Sequence, residues 1–258
     1  MRTLVSLIVL LMSLSAVAST ETGFLNRTIK VNGTDYRYQV FVPAQWNRHA
    51  NWPVILFLHG AGERGDDGLL QTDVGLSHAI RQNAAAWSQF VIVMPQCRKQ
   101  RLWTEPEMEQ VALAALEHST KEFHGDRSRL YLTGISMGGY GTWNLASHHP
   151  GMFAALVPIC GGIEPPPGFP ELKTDLAADF DPYRDTAQEI GKVPTWIFHG
   201  ADDPVVPVEG SRKVSEAMKA VGAEVKYTEY PGVQHNSWDK AYAEPELPNW
   251  LLAQHVAK

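Results

Sequence analysis

Two cysteines in 258 residues leave no material for a dense disulfide framework, and a chain of this length needs none, because it can bury a sizeable apolar core. No cluster of Lys and Arg occurs, and 22 basic against 28 acidic side chains give a formal net charge of -6. The electrostatic basis for binding nucleic acid is therefore missing. No repeat with a period of about 20 to 50 residues and no low-complexity tract divides the chain. No grouping of His, Cys, Asp and Glu has convincing metal-ligand spacing, so neither a metal nor another cofactor is expected. What is present, 44% hydrophobic and 19% charged residues, is ordinary globular composition. It reads as a single domain over residues 19–258.

Residues 1–18 stand apart. Arg2 supplies a positive start, Leu4 to Leu14 an apolar stretch, and Ala16-Val17-Ala18 a small-residue cleavage site, the pattern of a secretory signal peptide. The apolar run is shorter than the roughly 20 residues a spanning helix needs, and no cysteine follows to carry a lipid. The expectation is cleavage after Ala18, a secreted or periplasmic product, and no stable membrane insertion afterwards. Loss of Arg2 makes the mature chain one unit more negative.

Ile29 and Val31, then Tyr36, Tyr38, Val40 and Val42, alternate about Asn32-Gly33-Thr34-Asp35, which predicts an antiparallel hairpin with a tight turn. Asn26 and Asn32 also open N-x-T sequons, whose use depends on the host. Unbroken apolar runs follow at Val54 to Leu58, Phe90 to Met94, Leu130 to Thr133, Ala154 to Ile159 and Thr195 to Phe198. Runs of this kind suit strands covered on both faces. Helical stripes lie between them, Met108, Val111, Ala112, Ala115, Ser119 and Phe123 in one, Val214, Ala217, Met218 and Val221 in another. This alternation predicts an α/β fold, a mostly parallel sheet with an antiparallel N-terminal strand pair and helices on both faces.

Chemistry gathers where strands end, which is where ligands bind in open α/β sheets. Gly134-Ile135-Ser136-Met137-Gly138 is a G-x-S-x-G sequence, a pattern that arises by chance in about one chain in ten of this length. Its setting is more specific: the run Leu130 to Thr133 precedes it and a helix over Tyr140 to Ser147 can follow, the strand, sharp turn and helix of a nucleophile elbow. The next amide, Met137 N–H, falls at a helix N-terminus suited to an oxyanion.

A serine hydroxyl needs an adjacent base. His235, in a loop after the strand-like Val225 to Tyr230, is the candidate; His255 competes, but lies three residues from the end of the sequence and reads as solvated in a terminal helix. His59, His199, His148 and His149 read as structural. An acid between serine and histidine in chain order completes the set, and Asp203 or its neighbour Asp202 can supply it.

With Leu58-His59-Gly60-Ala61-Gly62-Glu63-Arg64-Gly65-Asp66-Asp67, Pro95-Gln96-Cys97, Gly134 to Gly139, Pro158-Ile159-Cys160-Gly161-Gly162, His199 to Pro207 and His235-Asn236-Ser237-Trp238, the chain resembles secreted bacterial proteins of the α/β-hydrolase fold. These are esterases, feruloyl-esterase-like proteins and predicted peptidases of prolyl-oligopeptidase type. The resemblance spans nearly all of residues 19–258. It implies Ser136, Asp203 and His235 as catalytic residues, Asp203 being favoured because the family's acid directly precedes the Pro204-Val205-Val206-Pro207 turn. It also implies Ala61 N–H as a second oxyanion donor beside Met137 N–H. The family's sheet order separates the strands before Cys97 and Cys160 by three steps, about 14 Å, beyond the reach of about 7 Å that a disulfide allows. Two free thiols are expected.

Arg64, Asp66 and Asp67 read as a charged loop held by a local ion pair. Trp238 and Trp103 are candidate substrate-binding residues, whereas Trp143 suits the core. The stretch from Gly161 to Lys192, with Pro165-Pro166-Pro167 and Pro170, leaves room for only a short, stiffened lid. The implied substrate is a small-molecule or polysaccharide-linked carboxylic ester, aryl or feruloyl esters among them, since the chain carries no large extra domain for selecting peptides. The alternatives are a serine peptidase and a non-catalytic binding protein on a hydrolase scaffold. Sequence assigns no oligomeric state.

Overall fold

The computed structural model describes residues 21–178 and 180–256; residues 1–18, expected from sequence to be a signal peptide, lie outside them. One eight-stranded sheet organises the chain: β1 (Gly23–Val31), β2 (Thr34–Val42), β3 (Trp52–Leu58), β4 (Val91–Pro95), β5 (Gly125–Ile135), β6 (Ala155–Ile159), β7 (Thr195–Gly200) and β8 (Val225–Tyr230). Its order is β1-β2-β4-β3-β5-β6-β7-β8. The first two strands form the expected hairpin, register Val31↔Thr34, and β2 runs antiparallel to β4. All remaining pairs are parallel. Asn32 and Gly33 both take positive φ, 49° and 82°, the two-residue turn whose twist matches a hairpin.

Every residue of β3, β4 and β6 is buried, which is why these strands show no polar alternation. Their side chains instead divide strictly by parity between two cores. Val54, Leu56, Leu58, Val91, Val93, Leu130 and Leu132 pack with α2 (Pro106–Glu122), α3 (Met137–His148), α4 (Pro182–Ile190) and α5 (Val208–Ala220). Ile55, Phe57, Ile92, Met94, Tyr131 and Ile135 pack with α1 (Leu76–Gln82), α6 (Trp238–Tyr242) and α7 (Leu247–Leu252). A strand places successive side chains on opposite faces, so two helix layers need two apolar registers.

The predicted α2 stripe is buried throughout, and in α5 Val214 and Met218 are buried while Ala217 and Val221 lie at the edge. Three differences from the sequence reading stand out. β5 begins at Gly125 rather than Leu130, because Gly125 pairs with Trp52, and the polar residues Asp126 to Arg129 fall in the register shift before Leu130 pairs with Val54. The stretch from Gly161 to Lys192 contains α4, anchored by the Asp181 side chain accepting from Arg184 N–H. His255 lies beyond the end of α7 and is exposed, not helical. Among the described residues no helix is long and apolar enough to cross a membrane.

Cys97 and Cys160 are free and wholly buried, on opposite sides of the β4-β3-β5-β6 series as the family's sheet order required. Burial pushes the Cys97 thiol up to about 12 and raises that of Cys160 further, which suppresses the reactive thiolate. A thiol-reactive disulfide reagent is therefore expected to titrate neither cysteine in the native protein and both after unfolding in concentrated guanidinium chloride. A mass shift on reduction would contradict it.

Candidate active site

β5 stops at Ile135 and α3 starts at Met137, so the whole reversal falls on Ser136, whose φ is 52° and ψ -117°. A non-glycine residue held there costs on the order of 1–3 kcal/mol. Fixed contacts hold it: Ser136 N–H donates to Ile159 O at 3.0 Å, and Ser136 O accepts from Gly139 and Tyr140 N–H at 2.8 and 3.1 Å. The flanking glycines are obligatory by contact. A Cβ on Gly134 would sit 2.2 Å from Gly138 O, and one on Gly138 would sit 2.0 Å from Leu58 O.

Above this bend His235 Nε2 lies 2.9 Å from Ser136 Oγ, and His235 Nδ1 lies 2.7 Å from Asp203 Oδ2. The structure thus brings Ser136, His235 and Asp203 into one hydrogen-bonded chain. The carboxylate against Nδ1 selects the tautomer protonated there, leaving the Nε2 lone pair to accept the serine proton. Asp202, by contrast, is exposed, and its amide donates to Val233 O at 3.0 Å. That bond draws the histidine loop over β7, an approach close enough that a Cβ on Gly200 would meet Gln234 O at 2.2 Å.

The Asp203 side chain has no exposed surface, yet all its near neighbours are donors. Oδ1 accepts from Val205 and Val206 N–H at 2.8 and 3.0 Å. Oδ2 accepts from His235 and stands 3.2 Å from His199 Nε2. Burial alone would raise its pKa; the hydrogen bonds from His199, His235, Val206 and Val205 outweigh that and hold it well below the usual carboxylate range.

His199 was read from sequence as structural, and its link to the acid was missed. Nε2 faces two acceptors, Asp203 Oδ2 and Val206 O at 3.0 Å, and so carries the proton, while Nδ1 accepts from Ser211 Oγ–H at 2.7 Å. The signal lay in its position, buried at the end of β7 four residues before Asp203.

His59 fixes the loop after β3. Its Nδ1–H donates to Gly60 O at 2.6 Å, its Nε2 accepts from Cys97 N–H at 2.9 Å, and burial pushes the imidazole down to about 4. Trp103 Nε1–H donates to His59 O at 3.0 Å. With 2% of its surface exposed, Trp103 supports this loop from inside and has little surface to offer a ligand. Trp143 is core, as expected. Trp238 is half-buried, its indole edge-on to the His235 ring at 5.5 Å.

Arg64 departs from the expected local ion pair: its guanidinium caps Ala61 O at 3.0 Å and Arg101 O at 3.4 Å. Asp66 pairs with Arg98 at 3.3 Å, and Asp67 Oδ1 caps the amides of Leu69 and Leu70. Ala61 opens a short 3-10 turn and is exposed. Met137 is the first residue of α3, where a helix leaves its N–H groups without intrahelical partners. Among the described residues no three His, Cys, Asp or Glu side chains gather in a way that could hold a metal ion.

Comparison with known proteins bears on the family and the fold. An uncharacterized secreted protein of Arthroderma benhamiae is 29% identical over 214 residues, 73% of this chain and 22% of its own length. Poly(3-hydroxyalkanoate) depolymerase C of Paucimonas lemoignei is 26% identical over 166 residues, 57% of this chain and 37% of its own. The chain thus spans well under half the length of either relative. A thermostable esterase of known structure superposes with a TM-score of 0.76 at 33% identity, covering 90% of this chain and 63% of that one. A ferulic acid esterase superposes at 0.66 with 18% identity, covering 90% of this chain and 100% of that one, a likeness of fold. The model of the dienelactone hydrolase family matches residues 38–245, and the chain accordingly belongs to that family of α/β hydrolases.

Proposed function

We propose that the protein is an exported serine hydrolase of carboxylic esters that works through an acyl-enzyme. The observation that carries this reading is the unbroken Ser136–His235–Asp203 hydrogen-bonded chain at a strained bend. Ser136 Oγ attacks the ester carbonyl as its proton passes to His235 Nε2, and Asp203 stabilises the imidazolium that forms. The oxyanion falls to the amides of Met137 and Ala61, each such donor being worth about 10²–10³ in kcat. His235 then protonates the departing alcohol, and water, deprotonated by the same imidazole, releases the acid.

Esters are favoured over amides by the 33% identical thermostable esterase and by the named activity of the Paucimonas depolymerase. Trp238, half-buried beside the base, supplies an aromatic wall suited to aryl or feruloyl groups. Trp103 drops out of the binding set because it is enclosed. The substrates are small-molecule or polysaccharide-linked esters outside the cytoplasm, in keeping with the signal-like segment and the secreted relative.

Ser136→Ala is expected to lower kcat on p-nitrophenyl acetate by about 10⁵- to 10⁶-fold while the fold is kept. Initial rates on purified protein measure this, and equal rates for wild type and variant would remove Ser136 from the reaction.

His199 acts as a positioning residue through Asp203. His199→Ala is expected to lower kcat about 10- to 100-fold with KM little changed, and His199→Gln, which keeps an N–H donor, to recover part of the loss. Equal losses in both variants would indicate a packing role alone.

Because the Asp203 pKa is depressed on folding, its stabilising contribution is complete above the unfolded value of about 3.9 and fades as pH falls through the folded value. Urea unfolding at about pH 5 and about pH 2.5 is expected to show a smaller acid-induced loss of stability in Asp203→Asn than in wild type. Parallel losses would refute the assignment.

A further inference from the structure

The segment that leaves β3, His59 to Gly68, has as its regular structure only the 3-10 turn Ala61–Glu63. Two consecutive residues just past β4 hold it in place. Cys97 N–H donates to His59 Nε2 at 2.9 Å, and Cys97 O accepts from Gly65 N–H at 2.9 Å. Beside them the buried side chain of Gln96 spans the segment. Its Nε2 donates to Glu63 O and to Asp67 Oδ1, both at 3.1 Å, and its Oε1 accepts from Gly68 N–H at 2.8 Å. Glu63 O can only accept and Gly68 N–H can only donate, so the partners fix which way the amide faces. Gly65 passes so near that a Cβ there would stand 2.6 Å from Gln96 Nε2.

Ala61 opens the turn and Glu63 closes it. On the near side His59 is tied through its ring to Cys97 N–H and through its carbonyl to Trp103 Nε1–H. On the far side Gln96 holds the Glu63 carbonyl. The other tethers do less for the turn. Arg64 reaches Arg101 O at a long 3.4 Å, and Asp66 and Arg98 form an exposed ion pair of the kind that contributes little. Gln39 Nε2 donates to Gly68 O at 3.0 Å, five residues beyond Glu63.

We infer that Gln96 is a positioning residue for ester cleavage: it pins the end of the Ala61–Glu63 turn and so sets the direction of the Ala61 N–H toward the developing oxyanion. This rests on the ester-hydrolase reading above. A misdirected donor is felt as charge builds on the oxygen, so its loss falls on the transition state and spares substrate binding.

Gln96→Met occupies a similar space without donor or acceptor, and Gln96→Glu keeps the Gly68 bond while giving up the one to Glu63 O. Both are expected to lower kcat and kcat/KM on p-nitrophenyl acetate together, about 10- to 100-fold, with KM within about twofold of wild type. Trifluoroacetophenone probes the same donors: Ser136 Oγ adds to its carbonyl carbon, the serine proton passes to His235 Nε2, and the former carbonyl oxygen carries the negative charge. Its inhibition constant is expected to rise by about the factor that kcat/KM falls. An inhibition constant unchanged in folded Gln96→Met, with only the unfolding midpoint lowered, assigns the side chain to stability and overturns the inference. Full activity in Gln96→Glu overturns it too, since the bond to Glu63 O would then be dispensable. If neither variant folds, Asp67→Ala decides, because it takes one acceptor from Gln96 Nε2 at an exposed position. It is expected to lower kcat about threefold, with no loss in Asp66→Ala, whose side chain pairs with Arg98 instead; equal rates in the two variants overturn the inference. Absence of turnover by wild type removes the ester reading and this inference with it, whereas turnover with an inhibition constant unchanged in Gln96→Met removes only the inference.

Discussion

The start of α3 approaches the end of β3 so closely that only a hydrogen atom fits at position 138, with Leu58 O as the opposing atom. Much of the site follows from that contact. It forces the strand-to-helix reversal onto a single residue, which leaves Ser136 in a backbone conformation that lifts its hydroxyl clear of the sheet. It also places the first turn of α3 beside the loop that leaves β3, where a Cβ at 138 would also meet His59 O at 2.8 Å. A side chain at 138 would separate strand, helix and loop together.

Around that contact the protein uses burial in two opposite ways. Asp203 is enclosed but surrounded by four N–H donors, and so stays charged. His59 is enclosed with one donor and one acceptor as partners, and so stays neutral. The difference lies in what each buried group is offered, since desolvation penalises a charge unless hydrogen bonds compensate it. One charge is kept against the His235 imidazole, and one imidazole is kept uncharged to hold a loop.

The sheet was legible because its central strands are apolar on both faces, which leaves compact runs that turn signals delimit. The elbow was legible because its steric demands select glycines at fixed spacing around the serine. The polar start of β5 was hidden, since Asp126 to Arg129 form an irregular stretch between the Trp52–Gly125 and Val54–Leu130 pairs that no side-chain pattern records. The short helices α1, α6 and α7 offer too few turns for a periodic stripe. Trp103 and Trp143 could be weighed from sequence only as aromatic residues near a motif, and their enclosure depends on which helix face meets the sheet. The contact of His199 with Asp203 was invisible for a related reason: a histidine four residues before an acid becomes a partner only when the intervening turn folds the carboxylate back.

The neutral imidazole of His59 sets how the protein meets acid. Burial keeps protons off that ring down to about pH 4, so the brace joining the β3 loop to the backbone at Cys97 survives conditions that would ionise a solvent-exposed histidine.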